Sequence, residues 1–251
     1  MTVRYGVADF GLNVWYGALY DLEQRLTNLK QIGLQGIERL EAATEAQLLE
    51  KAALFRKLGM GFGTVRGPNA ECNLQWAAAL GVEYIWAQAP GKDFDTFCRQ
   101  ASYQAQAAAR WGLRVALHNH LNSPVETHEQ VVEFLACCPH IGLILDTAHL
   151  AAAGGDPLAI VKEYPDRLTA IHLKDWLADD PSAPPLPAKG RFCELGAGNI
   201  GLDNLAVMRA LVEVGYDGWI FIEQDSHLQE PLEDIATSLG YLRKGGFGPG
   251  L

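Results

Sequence analysis

The chain contains no Cys-x-x-Cys pair, and its five cysteines, Cys72, Cys98, Cys137, Cys138 and Cys193, are odd in number. Neither a disulfide framework nor a thiolate zinc site is supported, so the cysteines read as small buried apolar residues and the compartment as a reducing cytoplasm. No window approaches ~18 uninterrupted apolar residues, so no transmembrane helix is read. The N-terminus, Met1-Thr2-Val3-Arg4-Tyr5-Gly6, lacks the charged and apolar regions of a signal peptide and reads as a first strand. Basic runs are absent too. With 20 Lys and Arg against 30 Asp and Glu, the formal net charge of −10 opposes a phosphate backbone, so neither nucleic acid nor a membrane is expected as a partner. No G-x-G-x-x-G opens the first helix, which weakens a doubly wound open sheet. No linker divides the chain.

What is present is a regular alternation. Of the 251 residues, 49% are hydrophobic, enough for a sizeable core, and α/β barrels commonly run near this length as one unit. Strand-like runs fall at 4–8, 36–40, 61–65, 83–88, 113–118, 141–145, 168–172 and 218–222. Between them lie helical patterns: Leu22, Leu26, Leu29 and Gly33 share a face, as do Leu205, Met208 and Val212, and then Leu232, Ile235, Ala236, Leu239 and Leu242. Thr44 with Gln47 and Thr127 with Gln130 have capping-box spacing, and Asp156-Pro157 marks a helix start. Gly33, Gly59, Gly81, Gly112 and Gly215 each close a helix just before a strand. Eight apolar strands in this order predict a parallel (β/α)8 barrel, a TIM barrel, as one domain over 1–251, with the open sheet as the alternative. The connection 177–201 is unusually long and rich in proline. It follows the seventh strand and reads as a lid over the barrel mouth, or as an inert excursion.

Barrel enzymes carry their chemistry at the C-terminal ends of the strands. Here the fifth strand ends in His118-Asn119-His120, the sixth in Asp146-Thr147-Ala148-His149, the seventh in His172-Leu173-Lys174-Asp175 and the eighth in Glu223-Gln224-Asp225. Carboxylates gathered this closely repel one another, and burying them is costly. One divalent cation removes that cost, and a donor set of three oxygens and one imidazole suits Mn²⁺, Mg²⁺, Co²⁺ or Zn²⁺. Each residue also has a plainer reading. Asp146 would cap a helix, His172 would be a satisfied rim histidine, Glu223 would pair with Lys174, and Glu126 would favour the start of the next helix. Glu38, at the end of the second strand, binds a substrate hydroxyl or makes a rim salt bridge. The segment 9–16, with Trp15, walls the pocket or forms a homo-oligomer contact. Trp76, Trp86 and Trp111 read as core.

The ordered motifs His118-Asn119-His120 with Val125-Glu126-Thr127, Leu145-Asp146-Thr147-Ala148-His149-Leu150, Ile171-His172-Leu173-Lys174-Asp175, Glu194-Leu195-Gly196-Ala197-Gly198 and Ile222-Glu223-Gln224-Asp225 resemble the xylose isomerase-like barrels. The likeness is strongest over 110–245 and nearest the inosose dehydratase-like branch. It implies a metal held by Glu, Asp, His and Glu, roles that carry to Glu126, Asp146, His172 and Glu223. Many relatives place the first glutamate at the end of the fifth strand, where this chain has His118-Asn119-His120. The resemblance further implies proton abstraction beside a metal-polarised carbonyl of a keto-sugar or keto-cyclitol. Glu126 and Glu223 would move the proton. Lys174 and His149 would protonate a leaving hydroxyl or hold substrate oxygens, with His118, His120, Glu38 and Trp15 lining the substrate. Isomerase, epimerase and dehydratase outcomes stay open. The alternatives are a sugar-binding barrel without catalysis and an endonuclease-type phosphodiesterase.

Overall fold

The structure, a computed structural model, describes residues 3–8, 10–15, 17, 21–184, 189–226 and 229–250, without the side chains of Asn13 and Val14. Asp9 and Tyr16 of the aromatic segment, and 185–188 of the long connection, lie outside the described residues.

The first half of the chain runs β1 (Arg4–Ala8), α1 (Phe10–Trp15), α2 (Leu22–Ile32), β2 (Gly36–Glu41), α3 (Glu45–Leu58), β3 (Gly61–Arg66), α4 (Ala70–Leu80), β4 (Tyr84–Trp86) and α5 (Phe94–Ala109). The second half begins with β5 (Arg114–His118), α6 (His128–Cys137), β6 (Ile141–Asp146), α7 (Thr147–Ala152), α8 (Pro157–Glu163) and β7 (Leu168–Leu173). It continues with β8 (Asp175–Ala178), β9 (Gly190–Cys193), α9 (Asn204–Glu213), β10 (Trp219–Glu223) and α10 (Pro231–Lys244). Eight strands form one parallel sheet in the order β3-β2-β1-β10-β7-β6-β5-β4. Chain order thus runs round a ring with no reversal, which rules out the doubly wound sheet. At the seam, β3 and β4 lie side by side and Thr64 Oγ1 donates to the Tyr84 carbonyl at 2.7 Å. The molecule is a nearly closed single-domain TIM barrel.

Two apolar layers hold it. One lies between strands and helices, around Leu26, Leu29, Phe55, Phe134, Leu143, Ile171 and Leu239. The other fills the barrel, where Tyr84, Trp219 and Phe221 pack against Ala8, Ala116 and Ala170. Burying a large side chain this way contributes roughly 1.5–3 kcal/mol. The small residues opposite are required: a Cβ on Gly63 would come within 2.7 Å of the Phe221 ring.

The five glycine stops all have positive φ, from 64° at Gly59 to 103° at Gly33. Thr127 and Gln130 make a complete capping box, whereas Gln47 reaches past Thr44 to the N–H of Ala43. In α9 the buried face is Val207, Met208 and Leu211, and Val212 is 54% exposed, so the expected apolar stripe is off by one position. Trp76 is buried, but Trp111 is 48% exposed at the end of α5. Cys98, Cys138 and Cys193 are buried as expected and Cys137 is exposed. No helix among the described residues is long and apolar enough to cross a membrane.

Candidate metal centre

One ligand atom from each of His118, Asp146, His172 and Glu223 lies within 4.8 Å of the others. They stand at the C-terminal ends of β5, β6, β7 and β10. Local structure aims them there. Between β6 and β7 the register shifts at Leu143/Ile144, so β7 carries one extra residue, Thr169, and Asp146 comes level with His172. Without that bulge Asp146 would face Ile171, whose side chain points to the other side of the sheet. Asn119, fully buried, then locks β5 to β6. Its Nδ2 donates to the Asp146 carbonyl (3.1 Å) and its Oδ1 accepts the Asp146 N–H (2.9 Å). Thr147 does the same for the next rim, its Oγ1 accepting the Lys174 N–H at 3.2 Å.

Asp146 serves two purposes. Its Oδ1 accepts the His149 N–H at 2.9 Å as the N-cap of α7. Its Oδ2 is buried without a hydrogen-bond partner, as is Nε2 of His118, 3.5 Å away. Buried polar atoms are rarely left unpaired, and two facing one another mark a place where a cation fits. His172 turns Nδ1 to Glu223 Oε2 (2.6 Å) and to Asp146 Oδ2 (3.9 Å), and Nε2 to Glu38 Oε1 (3.0 Å). The donor set is thus two imidazoles and two carboxylates, consistent with a divalent metal site.

Charge in the cluster is settled by burial and by Lys174. The Lys174 ammonium, 1% exposed, lies 2.7 Å from Asp225 Oδ2, 3.2 Å from Glu223 Oε2 and 3.6 Å from Asp146 Oδ2. Burial opposes its charge, but Glu223, Asp146 and Asp225 together raise its pKa. Burial likewise opposes the carboxylates. Lys174 and His172 nevertheless hold Glu223 below the usual range, and His149 and Lys174 do so for Asp146. His149 is itself pushed down to about 3 by burial, so the ammonium is the lasting source of that effect. His172 is opposed by burial yet pushed up to about 10 by Glu38 and Glu223. His118 is lowered by burial.

Glu126 stands apart from the convergent group. Its Oε1 accepts the Asn122 N–H at 3.0 Å, steadying a turn in which Asn122 has φ 62°. The fourth residue of the cluster is His118, for which the sequence implies a substrate-binding role. His149 is buried beside the centre, its ring 3.8 Å from that of His120 and its Nε2 3.4 Å from Lys174 Nζ. Glu38 is fully buried inside the barrel rather than at a rim salt bridge, although Arg39 Nε is 3.9 Å from its Oε2. Trp15 is 41% exposed on α1, a helix that packs at the rim, where a Cβ on Gly11 would strike the Gln224 carbonyl.

Three contributors escaped the sequence reading. Trp86, expected in the core, stacks on His118 at 4.8 Å and donates Nε1 to Glu38. Asp225 holds Lys174. Phe192 comes from the long connection, whose β8 and β9 form an antiparallel hairpin; its ring covers Lys174 Nζ at 4.3 Å and meets His149 at 4.9 Å. The connection is therefore a cover for the site at its base. The position of Trp86 at a strand end was a usable signal; nothing in the sequence marked Phe192.

Fold and site together define a TIM barrel with a buried His/Asp/His/Glu cluster of metal-site type at its mouth. The chain belongs to the family described as Xylose isomerase-like TIM barrel, matched over residues 26–245. It is 29% identical over 163 residues to an inosose dehydratase of Lactiplantibacillus plantarum, covering 61% of this chain and 54% of that protein. The chain spans about half the length of the curated relatives it matches. Its fold superposes on the probable 3-DHS dehydratase AsbF of Bacillus anthracis with a TM-score of 0.75 at 14% identity, covering 96% of this chain and 99% of that one. For the D-psicose 3-epimerase of Clostridium cellulolyticum H10 the TM-score is 0.72 at 15% identity, with 96% and 99% covered. At such identities these two likenesses bear on the fold alone.

Proposed function

We propose that this protein is a divalent-metal-dependent enzyme of the cytoplasm that moves a proton beside the carbonyl of a keto-sugar or keto-cyclitol, as an isomerase, epimerase or dehydratase. The observation that carries this reading is the pair of orphaned, facing donors, His118 Nε2 and Asp146 Oδ2, within a cluster completed by His172 and Glu223. Two nitrogens and two carboxylates favour Mn²⁺, Co²⁺ or Zn²⁺ over Mg²⁺. When bound, such an ion supplies Lewis-acid polarisation of a carbonyl oxygen.

The chain's own residues do the rest. Glu223, held ionised, takes the proton from the carbon beside the carbonyl. Glu126 is engaged in its turn, so the partner of Glu223 in proton transfer is the Lys174–His149 pair. The two groups are 3.4 Å apart, one charged and one neutral, and neighbouring titratable groups pushed apart in this way divide donor and acceptor work. Lys174, held charged by its three carboxylates, donates a hydrogen bond to a departing or developing oxygen, and His120, its ring 3.8 Å from that of His149, holds a substrate hydroxyl. Phe192 closes over both and excludes water. The likeness to inosose dehydratase favours a cyclitol ketone and loss of water among the possible outcomes.

The test is incubation of metal-loaded protein in deuterated water with ketohexoses, their phosphates and keto-inositols. Deuterium beside the carbonyl, with an isomer, an epimer or a dehydrated product, is the expected result, abolished by chelator and by Glu223→Gln. Turnover that survives both would overturn the reading. Substrate binding with no exchange would leave a sugar-binding barrel instead.

A further inference from the structure

Glu38 is an unusual neighbour for a metal centre. It comes from β2, across the barrel interior from β7, and 134 residues separate it from His172. Its side chain is fully buried, and its Oε1 meets two nitrogens at once, Trp86 Nε1 at 3.0 Å and His172 Nε2 at 3.0 Å. The indole is a donor only, so the direction of the first bond is fixed. The imidazole has a choice. A neutral ring carries its proton on one nitrogen and its lone pair on the other, and only the lone pair binds a cation. Nδ1 faces Asp146 and Glu223; Nε2 faces Glu38.

We propose that Glu38 is a positioning residue of the metal centre: by accepting the Nε2–H of His172 it selects the tautomer that presents Nδ1 to the ion. Trp86 extends the effect to a second ligand. It is held by Glu38 through its N–H and stacks on His118 with the ring planes 25° apart. One buried carboxylate thus sets the rotation of both imidazoles in the donor set. Supporting groups of this kind typically change metal affinity by about 10–100-fold when removed. The inference rests on the metal-site reading above.

The experiment uses the full chain with Zn²⁺, comparing wild type, Glu38→Gln and Glu38→Ala. Affinity is measured by competition with a chelator. The tautomer of His172 is read from nitrogen-15 NMR of the histidine-labelled, Zn²⁺-loaded protein. In wild type, Nε2 of His172 should carry a protected proton and Nδ1 should bind the metal. Glu38→Ala should lower affinity by about 10–100-fold and leave Nε2 without that protected proton. Glu38→Gln fills the same space and keeps one acceptor oxygen, so it should retain the tautomer and lose less affinity; it also serves if the alanine variant does not fold. A wild type that binds no Zn²⁺ overturns the metal reading and this inference with it. A wild type that binds, with variants equal to it in affinity and in tautomer, overturns the inference alone, as does metal bound at Nε2.

Discussion

Asp146 Oδ2 and His118 Nε2 face each other at 3.5 Å, both buried, and neither has a hydrogen-bond partner. The other oxygen of the same carboxylate is the N-cap of α7. The two jobs can be separated. Asp146→Asn keeps a capping oxygen and removes the charge a cation needs. It should lower metal affinity by at least about 100-fold, the top of the range for losing a merely supporting group. Both this variant and the alanine variant give up the attraction between Lys174 and the carboxylate in the metal-free protein, so that loss is common to the two. Asp146→Ala should lose the cap as well, and about 1 kcal/mol with it. Equal melting curves for the two variants would contradict the division.

Asn119 is expected to matter through stability. Asn119→Ala would take the acceptor from the Asp146 N–H in a buried seam, at about 1–3 kcal/mol per orphaned group, while the Asp146 C=O still opens α7. Urea unfolding should show a loss of about 1–3 kcal/mol. A loss below about 1 kcal/mol would mean that β5 and β6 are held together without it.

Much of this was readable beforehand, for reasons that differ by residue. The eight strands and their glycine stops are local signals, written in apolar runs and in positions that need positive φ. Asp146, His172 and Glu223 were legible because the barrel topology itself sends strand ends to one mouth. Glu126 takes the first glutamate's place only by resemblance, as the carboxylate nearest the fifth strand, and the turn around Asn122 engages it. The helix α7 gave no amphipathic stripe because Thr147 to Leu150 are all buried. Glu38 meeting His172 is a contact across the barrel, and no spacing in sequence encodes it.

Proton release should accompany metal binding. With His172 pushed up to about 10, the metal-free protein holds it doubly protonated at pH 8, so an ion taken at Nδ1 displaces a proton. Affinity should therefore rise with pH toward about 10. The same raised value stabilises the metal-free fold fully below the unfolded histidine range, about 6.5, and that stability is lost as pH rises through about 10. Calorimetry in two buffers of different ionisation enthalpy should give different apparent heats, amounting to about one proton per ion. Identical heats would contradict it.

Asp234, buried in the first turn of α10 with Oδ1 unpartnered, is pushed up to about 6 by burial and by Glu194. The native state then holds a proton that the unfolded chain has released, so this group costs stability as pH rises from about 4 to about 6. Asp234→Asn should match wild type at pH 4 and exceed it by about 1–3 kcal/mol at pH 7. Denaturant unfolding at the two pH values checks this, and a variant no more stable at pH 7 would refute it.

Glu126→Gln should leave metal affinity unchanged, whereas Glu223→Gln should weaken it sharply, since only the second carboxylate is in the donor cluster. Parallel chelator-competition titrations decide it. Equal losses in the two variants would return Glu126 to the centre.

The most direct measurement is anomalous diffraction from crystals grown with Mn²⁺. One peak per chain is expected at the mouth of the barrel, about 2.0–2.3 Å from His118 Nε2, Asp146 Oδ2, His172 Nδ1 and a Glu223 oxygen. A peak ligated by Glu126, a peak elsewhere, or no peak from protein saturated with metal would contradict it.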